Sequence, residues 1–559
     1  MEESAKAAIE DHAVIGDGRS IALVSRDGTI DWLCWPRFDS PSLFASLLDP
    51  IRGGSFEMKA PEAQSEGRRY VPDTNVLQTL FHTASGDVRL TDLMSLESAY
   101  RGSLAPENEV LREARCTGGS ARVKVRVDPR PDYGARRPRI ERAGPSIWRI
   151  HLAGGRALLL QGMLVEGRDR RGEPDELFQP EPEGGLAADC RLLEGDRLIV
   201  SLVFAESNPA VMAPVRGGVD GRIARTIAWW QDWSSRRRYQ GPYFNEVMRS
   251  ALALKLLAFA PSGAVVAAAT TSLPEKPKGD LNWDYRFCWL RDASMTVHAL
   301  YGLGCPGEAR SFISWLLHAT RMHLPRVRVL YDVYGRLPPA ERELNWLSGW
   351  GGAKPVRTGN AAVNQLQLDV FGEVIDAVVR FVEAESAALD GPTRRMLRSM
   401  GEWVCRNWEL PDAGIWEQRD VLKPHTHSKV MCWVALDGLL RLYDKGVLTK
   451  IPVERFRMNR ELLRETIETR GFDASLGAYT ASLDEAELDA ALLRLPSLGF
   501  VPAHASRMRS TVRLLRERLG VGRGSIYRYG RSLDDEEGAF VVCGFWLADA
   551  LARGAGSLA

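Results

Sequence analysis

The sequence predicts a two-part protein, in which an antiparallel β-sandwich is followed by a toroid of helices. Up to about residue 225, apolar and polar residues alternate in short segments, so that one face of each strand meets a core and the other meets water. Beyond that point, apolar residues recur at helical spacing, without segments typical of strands between them. Helical hairpins set side by side can close into a ring, whose loops at one end surround a central pocket.

The strands of the first part are short and are separated by Pro and Gly. Residues 21–24 and 29–33 are typical of two strands joined by a tight turn. Residues 121–127 alternate strictly, and residues 76–82 and 197–204 follow the same pattern. This part of the chain is therefore expected to be β-rich.

The second part consists of helical segments separated by loops that contain Gly and Pro. They are predicted near residues 223–233, 244–259, 291–303, 307–320, 360–386, 392–408, 428–443, 453–469, 484–495, 505–519 and 538–552. We therefore predict a β-sandwich domain over residues 1–222, a helical linker over residues 223–243 and a helical barrel over residues 244–559.

Composition excludes several classes of function. The 559 residues carry 73 basic and 72 acidic side chains, so no electrostatic footprint for nucleic acid or for an anionic membrane is expected. The eight cysteines are scattered singly, and neither a signal peptide nor a membrane-spanning stretch is visible, which predicts a cytoplasmic protein. His425 and His427 could ligate a metal, but they lack further ligands and are predicted to lie on a surface loop. No metal and no cofactor are predicted.

The stretch from residue 282 to residue 292 is unusual in composition. It combines aromatic residues with two pairs of Asp and Arg within eleven positions. Flat apolar rings beside fixed donors and acceptors suit a pocket for a ring that carries many hydroxyl groups. We therefore predict that this stretch forms a wall of the binding pocket.

Two acidic clusters could carry chemistry. Glu417 follows Trp416 in a predicted loop, and Glu537 ends the acidic run 534–537 before the last predicted helix. Glu417 could instead be a loop carboxylate paired with Arg419. Acidic residues before a helix could equally do no more than complement its dipole.

Hydrolysis of an acetal would use both carboxylates. A protonated carboxyl donates to the leaving oxygen, while an ionised carboxylate attacks or activates water. An indole beside Glu417 would exclude water and suit the acid, whereas a helix amino terminus would keep Glu537 ionised and suit the base. This reasoning favours the assignment and leaves the alternatives above open.

Ordered motifs extend along nearly the whole chain, at residues 15–19, 25–28, 37–41, 128–134, 282–292, 355–362, 414–417 and 537–540. With these motifs the chain resembles bacterial members of glycoside hydrolase family 15, which contains glucoamylases, glucodextranases and trehalases. The resemblance implies an amino-terminal β-sandwich, a helical linker and a catalytic (α/α)6 barrel.

The resemblance also implies roles for individual residues. Glu417 would be the general acid and Glu537 the base of an inverting hydrolase, with the neighbouring Glu536 as the alternative to Glu537. The two carboxyl groups of an inverting site lie roughly 6.5–9.5 Å apart, which leaves room for the attacking water. The residues expected to bind the terminal glucose are Arg291, Asp292, Trp289, Trp350, Arg357 and Trp416.

The substrate implied is an α-glucoside or an oligosaccharide. We expect an exo-acting enzyme that releases glucose from the non-reducing ends of α-glucans or maltooligosaccharides, with trehalose or an α-1,6-linked glucan as alternatives. Two readings from other classes are an inverting disaccharide phosphorylase, which replaces the base with phosphate, and a sugar-binding protein without turnover. The sequence does not discriminate between the glucoside linkages or indicate an oligomeric state.

Overall fold

A computed structural model describes residues 8–96, 108–166, 177–206, 218–324, 327–419, 421–530 and 537–556. Its amino-terminal part is an antiparallel β-sheet domain, as predicted. The strands are β1 (Ala13–Gly16), β2 (Ile21–Val24), β3 (Thr29–Cys34), β4 (Ser42–Phe44), β5 (Ser55–Lys59), β6 (Ala63–Tyr70), β7 (Leu77–Thr83), β8 (Gly86–Met94), β9 (Glu109–Asp128), β10 (Ile140–Gly144), β11 (Ile147–His151), β12 (Ala157–Val165), β13 (Gln179–Pro180), β14 (Leu186–Leu193) and β15 (Arg197–Ala205).

The long strand β9 organises this domain. Its first half pairs with β8 and β15, and its second half pairs with β5 and β14. Val24 of β2 and Val125 of β9 share a single apolar core with Leu90 of β8 and Leu158 of β12. The predicted hairpin is confirmed, because β2 pairs with β3 through Ala22 and Leu33. Strict alternation over residues 121–127 of β9 places four apolar side chains of the strand in this core.

The second part is helical. Its helices are α1 (Val219–Ser235), α2 (Phe244–Leu257), α3 (Arg291–Gly302), α4 (Pro306–Arg321), α5 (Asp369–Glu385), α6 (Gly391–Asn407), α7 (Thr426–Asp444), α8 (Val453–Arg470), α9 (Ser506–Leu519) and α10 (Val541–Ala550). Short strands tie the loops together in pairs, at Cys288–Trp289 with Leu330–Tyr331, Arg342–Glu343 with Arg357–Thr358, Phe472–Asp473 with Ala478–Tyr479, and Gly520–Val521 with Ser525–Ile526.

Two predicted helices are shorter than expected. The segment 360–386 divides into a 3-10 turn at Ala361–Asn364 and the helix α5, since the Asn360 side chain accepts from the Ala362 N–H and caps a separate turn. The segment 484–495 contains only a 3-10 turn, Ala490–Arg494, capped in the same way by Asp489.

The helices differ in how they are covered. α5 and α7 bury residues on nearly every side, and both contribute to the largest apolar core of the molecule. α10 is also apolar on all sides, yet Val541 and Phe545 are 72% and 70% exposed. The predicted closure into an (α/α)6 ring is therefore not evident from the packing of α10. None of the helices in the described ranges is long and apolar enough to cross a membrane.

The two parts are joined through a buried ion pair. Arg286 and Asp284 are both completely buried, with Nη2 of the arginine 2.7 Å from Oδ2 of the aspartate. The same guanidinium donates to the Ser40 carbonyl at 2.8 Å and to the Tyr133 hydroxyl at 2.7 Å, both in the β-sheet domain. Two residues of the stretch 282–292 therefore face the domain contact, and the prediction that the whole stretch lines a pocket was wrong for them.

Candidate active site

The loop before α7 carries Glu417 in a strained conformation. Gly414 and Glu417 both have positive φ angles, 66° and 58°. For a residue with a side chain this left-handed conformation costs about 1–2 kcal/mol. Asp412 fixes the loop, since its Oδ2 accepts from the Leu368 N–H at 2.9 Å and from the Ser428 hydroxyl at 2.8 Å. The fold thus maintains strain to place the Glu417 side chain.

Three donors converge on one oxygen of Glu417. Its Oε1 accepts from Trp289 Nε1 at 2.6 Å, from Arg291 Nη1 at 3.1 Å and from Gln367 Nε2 at 3.2 Å. The side chain of Glu417 is 16% exposed. Because Oε1 is held on three sides, the rotamer of Glu417 is fixed and Oε2 is the oxygen left for other partners.

Arg291 begins α3 and is held by the same loop. Its Nη1 also donates to the Ile415 carbonyl at 2.8 Å, and its Nε lies 3.5 Å from Asp292 Oδ1. Although burial opposes the change, the carboxylates of Glu417 and Asp292 raise the pKa of the Arg291 guanidinium. Asp292 is 37% exposed and thus open to a ligand. The structure brings Arg291, Asp292, Trp289 and Glu417 together, as predicted.

Trp416 links the Glu417 loop to the segment before α10. Its indole ring meets Phe540 edge to face, with the ring centroids 6.0 Å apart. Its Nε1 donates to both carboxylate oxygens of Asp489, at 2.9 and 2.8 Å. Trp416 therefore turns towards Asp489, and the indole that contacts Glu417 is that of Trp289. The sequence argument had assigned this contact to the neighbouring Trp416.

Glu537 is buried and pairs with an arginine that the sequence argument missed. Arg528 forms ion pairs with Glu537 and with Glu275, and its Nη2 lies 2.6 Å from Glu275 Oε2. The guanidinium carbon is 5.6 Å from the Trp416 ring centroid and 5.7 Å from that of Phe540. Glu537 is thus connected through Arg528 and the aromatic contacts to the Glu417 loop. The alternative base Glu536 lies outside the described residues.

Arg357 contacts a different set of residues, around the Trp283 ring. Arg357 and Arg419 lie against the Trp283 ring, 4.3 and 3.7 Å from its centroid, and Glu341 pairs with both arginines. The proposed alternative pairing of Glu417 with Arg419 is not seen, because Arg419 pairs with Glu341.

Trp350 packs at the contact between the two parts of the chain. It borders an apolar cluster that includes Trp32 and Tyr133 from the β-sheet domain and Leu347 from the helical part. A role for Trp350 in binding the ligand stays a prediction.

A buried polar cluster lies beyond Arg291. Asp369, the first residue of α5, is fully buried, and neither of its carboxylate oxygens has a hydrogen-bond partner. Burial raises the pKa of Asp369 to about 7, although the nearby Arg291 opposes the rise. The cluster is therefore able to hold protons near neutral pH.

The two histidines at the start of α7 belong to the same buried region. His425 and His427 are buried, so the prediction of a surface loop was wrong, and Nε2 of His427 lies 3.2 Å from Arg494 Nη1. Burial lowers the pKa of His425 to about 4 and that of His427 well below its usual value, so both rings are neutral. In the described ranges, no group of three or more His, Cys, Asp or Glu side chains is arranged to hold a metal ion.

The arrangement suits hydrolysis of a glycosidic bond. Glu417 presents one fixed carboxyl, Arg291 and Asp292 present donors and acceptors for hydroxyl groups, and a second set of carboxylates surrounds Arg528. Sequence reasoning missed Gln367, Glu275, Arg528 and Asp489, because each acts through partners that are distant in the chain.

Comparison with known families gives the same class. Residues 241–558 match the model of glycosyl hydrolases family 15, and residues 2–153 match that of a trehalase-like amino-terminal domain. The fold and the site define a glycoside hydrolase. With more than half of its length matched, the chain belongs to glycosyl hydrolases family 15.

Several trehalases are similar to this protein over nearly its whole length. A trehalase of Mycolicibacterium smegmatis is 32% identical over 578 residues, which cover 97% of this chain and 82% of the relative. A trehalase of Thermoplasma acidophilum is 30% identical over 95% of this chain and 88% of its own length. Among solved structures, a wild-type glycosidase aligns with a TM-score of 0.43 at 19% identity, over 56% of this chain and 81% of the other.

Proposed function

We propose that the protein is an α,α-trehalase, which hydrolyses trehalose to two molecules of glucose. The observation that carries this proposal is the series of relatives named trehalase, which match 95–97% of the chain at 28–32% identity. They favour trehalose over the α-glucans and maltooligosaccharides that the sequence argument placed first. A glucoamylase-like preference stays the second candidate, since both substrates offer the same terminal glucose to Arg291 and Asp292.

The proposed mechanism is a single displacement with inversion. Glu417 gives its proton to the bridging oxygen, and Glu537 takes a proton from the water that attacks the anomeric carbon. The attacked glucose leaves as the β-anomer, while the other glucose keeps its α configuration. Trp289, Arg291 and Gln367 support the role of Glu417, because they fix one of its oxygens and leave the other for the substrate.

We further propose that the site lies in an (α/α)6 barrel over residues 244–559, which a linker at residues 223–243 joins to a β-sandwich over residues 1–222. α1 and α2 begin near the proposed boundaries, at Val219 and Phe244. In this arrangement the loops before α3, α7 and α10 meet at one end of the barrel. A cytoplasmic location stays a prediction of the sequence.

The test is a panel of substrates. The specificity constant kcat/KM is measured for trehalose, maltotriose and isomaltose, and the first product anomer is identified by NMR. We expect trehalose to exceed the other two by at least about 100-fold, which corresponds to about 2.7 kcal/mol in transition-state binding. Equal amounts of α- and β-glucose should form at first. A preference for maltotriose would favour a glucoamylase, dependence on phosphate would favour a phosphorylase, and binding without turnover would favour a sugar-binding protein.

A further inference from the structure

A third glutamate, Glu275, lies close to the proposed catalytic pair of Glu417 and Glu537. Glu275 lies in the loop between α2 and α3. Its side chain is 21% exposed, compared with 13% for Arg528 and 8% for Glu537. Its Oε2 is 2.6 Å from Arg528 Nη2, and its Oε1 accepts from the Tyr285 hydroxyl at 3.5 Å. Glu275 is therefore held at both carboxylate oxygens.

Arg528 stands between two of these carboxylates. One nitrogen, Nη2, pairs with both Glu275 and Glu537. The backbone of Arg528 is fixed as well, since its carbonyl accepts from the Ala490 N–H at 2.8 Å. Aromatic rings on three sides, those of Trp416, Tyr529 and Phe540, leave the guanidinium little freedom. The position of Glu537 thus depends on a cation whose other partner is Glu275.

Glu275 also lies within electrostatic reach of the proposed acid. Burial raises the pKa of Glu275, while Arg528 and Tyr285 oppose the rise and the negative charge of Glu417 adds to it. Glu275 is therefore linked to the proposed base through Arg528 and to the proposed acid through charge. Without Glu275, the Arg528 guanidinium would pair with Glu537 alone of these two carboxylates.

We propose that Glu275 is a positioning residue, which acts through Arg528 to hold the Glu537 carboxylate where it activates water. This inference rests on the proposed function, in which Glu537 is the base. A guanidinium shared by two carboxylates binds each of them less completely than it would bind one alone, so Glu537 keeps an oxygen for the water. If Glu275 acts through Glu537, its effect on rate must disappear when Glu537 is absent.

A double-mutant cycle tests this dependence. The variants are Glu275→Ala, Glu537→Ala and the double variant, with Glu275→Gln as the conservative change. The substrate is α-glucosyl fluoride, whose fluoride leaves without a proton from an acid, so the rate reports on the activation of water. We expect Glu275→Ala to lower kcat about 10- to 30-fold with little change in KM, Glu275→Gln to lie between it and the wild type, and Glu275→Ala to cost less than about twofold in the Glu537→Ala background.

The control is a carboxylate in a similar ion pair far from the site. Glu308 is 17% exposed, lies 3.0 Å from Lys255 and accepts from Trp233 Nε1 at 2.7 Å. Glu308→Ala should leave kcat within twofold of the wild type. Thermal unfolding of every variant checks that the fold is kept, and Glu275→Gln supports the comparison if Glu275→Ala does not fold.

The outcomes separate the two levels of the proposal. An equal loss of rate in both backgrounds, or no loss in either, would overturn the positioning role of Glu275. Full activity of Glu537→Ala would instead overturn the assignment of the base. Failure of the wild type to hydrolyse any α-glucoside would overturn the proposed function itself.

Discussion

Two Arg–Asp pairs within the stretch 282–292 differ in almost every physical respect. Asp284 and Arg286 are completely buried, and the guanidinium of Arg286 donates its hydrogen bonds to Asp284 and to the β-sheet domain. Arg291 and Asp292 are 14% and 37% exposed, and their side chains lie 3.5 Å apart. Arg291 donates hydrogen bonds to the loop that carries Glu417. The same residue types, five to eight positions apart, thus serve a domain contact in one case and a reaction site in the other.

Burial and unused hydrogen-bonding positions distinguish a structural ion pair from a functional one. A buried pair whose donors and acceptors are all satisfied has nothing left for a ligand, and removing one member leaves an uncompensated charge. A partly exposed pair bound to a catalytic loop retains free positions and costs less to alter. The first pair should therefore determine stability, and the second should determine rate.

The largest effect on rate is expected at Glu417, the carboxylate that pairs with Arg291. Glu417→Gln keeps the shape of the side chain, and its carbonyl can still accept from Trp289, but it has no proton for the leaving oxygen. We expect kcat on trehalose, or on whichever α-glucoside the protein hydrolyses, to fall about 10²- to 10⁴-fold, with KM within a few-fold of the wild type. Initial rates of glucose release measure both constants.

Glu385→Gln is the matched control for this change. Glu385 ends α5, about 24 Å from the helix start near the site, and it pairs with Arg310 at 3.6 Å. Its substitution should leave kcat and KM unchanged. If Glu417→Gln lowers kcat by less than tenfold, Glu417 is not the general acid.

The next effect is expected on stability. Arg286→Met leaves Asp284 as a buried charge without its cation, which should lower the free energy of unfolding by about 3–5 kcal/mol. Urea denaturation followed by tryptophan fluorescence measures this loss. The turnover of the molecules that remain folded should stay close to that of the wild type.

A double variant sharpens the interpretation. Asp284→Leu combined with Arg286→Met should cost less than the sum of the two single variants, because neither charge is then left alone. Additive losses would show that the two side chains contribute separately, through Ser40 and Tyr133 on one side and Gly359 on the other.

Much of the fold could be predicted from the sequence, because hydrophobic periodicity depends on neighbours in the chain. The hairpin of β2 and β3 and the helices from α3 to α9 follow from that periodicity. The resemblance to the family also predicts Glu417, Arg291 and Trp289 at one site, whereas composition indicates only the stretch that contains Arg291 and Trp289. The division of the eleven residues between the domain contact and the site could not be predicted, because it depends on which loops pack on each face.

The remaining site residues could not be predicted from local sequence patterns. Glu275 and Arg528 are 253 positions apart and meet only in the folded protein. An isolated Glu or Arg in a polar loop has no local signal that distinguishes it from a solvated surface residue. Asp489 was missed for the same reason, and its contact with Trp416 changed the predicted role of that indole.

A smaller effect on rate is expected for the arginine of the second pair. Arg291→Lys keeps the charge but loses the guanidinium geometry, in which Nη1 donates to both Ile415 and Glu417 while Nε faces Asp292. We expect kcat/KM to fall about 10- to 100-fold, which is about 1.4–2.7 kcal/mol. Steady-state kinetics measure the fall.

Arg380→Lys is the matched control, because Arg380 pairs with Asp376 on α5 and is 30% exposed. It should leave kcat/KM unchanged. Arg291→Lys should also destabilise the fold less than Arg286→Met does. A larger loss of stability than for Arg286→Met would reverse the distinction between the two pairs.

The smallest effect concerns Asp369, a carboxylate near Arg291 that has no hydrogen-bond partner of its own. Because burial raises its pKa to about 7, the folded state binds its proton more tightly than the unfolded state. The stabilisation is therefore present at acidic pH and is lost as the pH rises from about 4 towards 7. Asp369→Asn has no such proton, so its stability should depend less on pH.

Thermal unfolding at pH 5 and pH 8 measures this difference. We expect the fall in Tm between the two pH values to be smaller in Asp369→Asn than in the wild type, by at least about 2 °C. The same fall in both proteins would mean that Asp369 is already ionised in the folded state. Arg291 would then be flanked by a charged carboxylate on its buried side as well as by Glu417, and the second pair would resemble the first more closely than its exposure suggests.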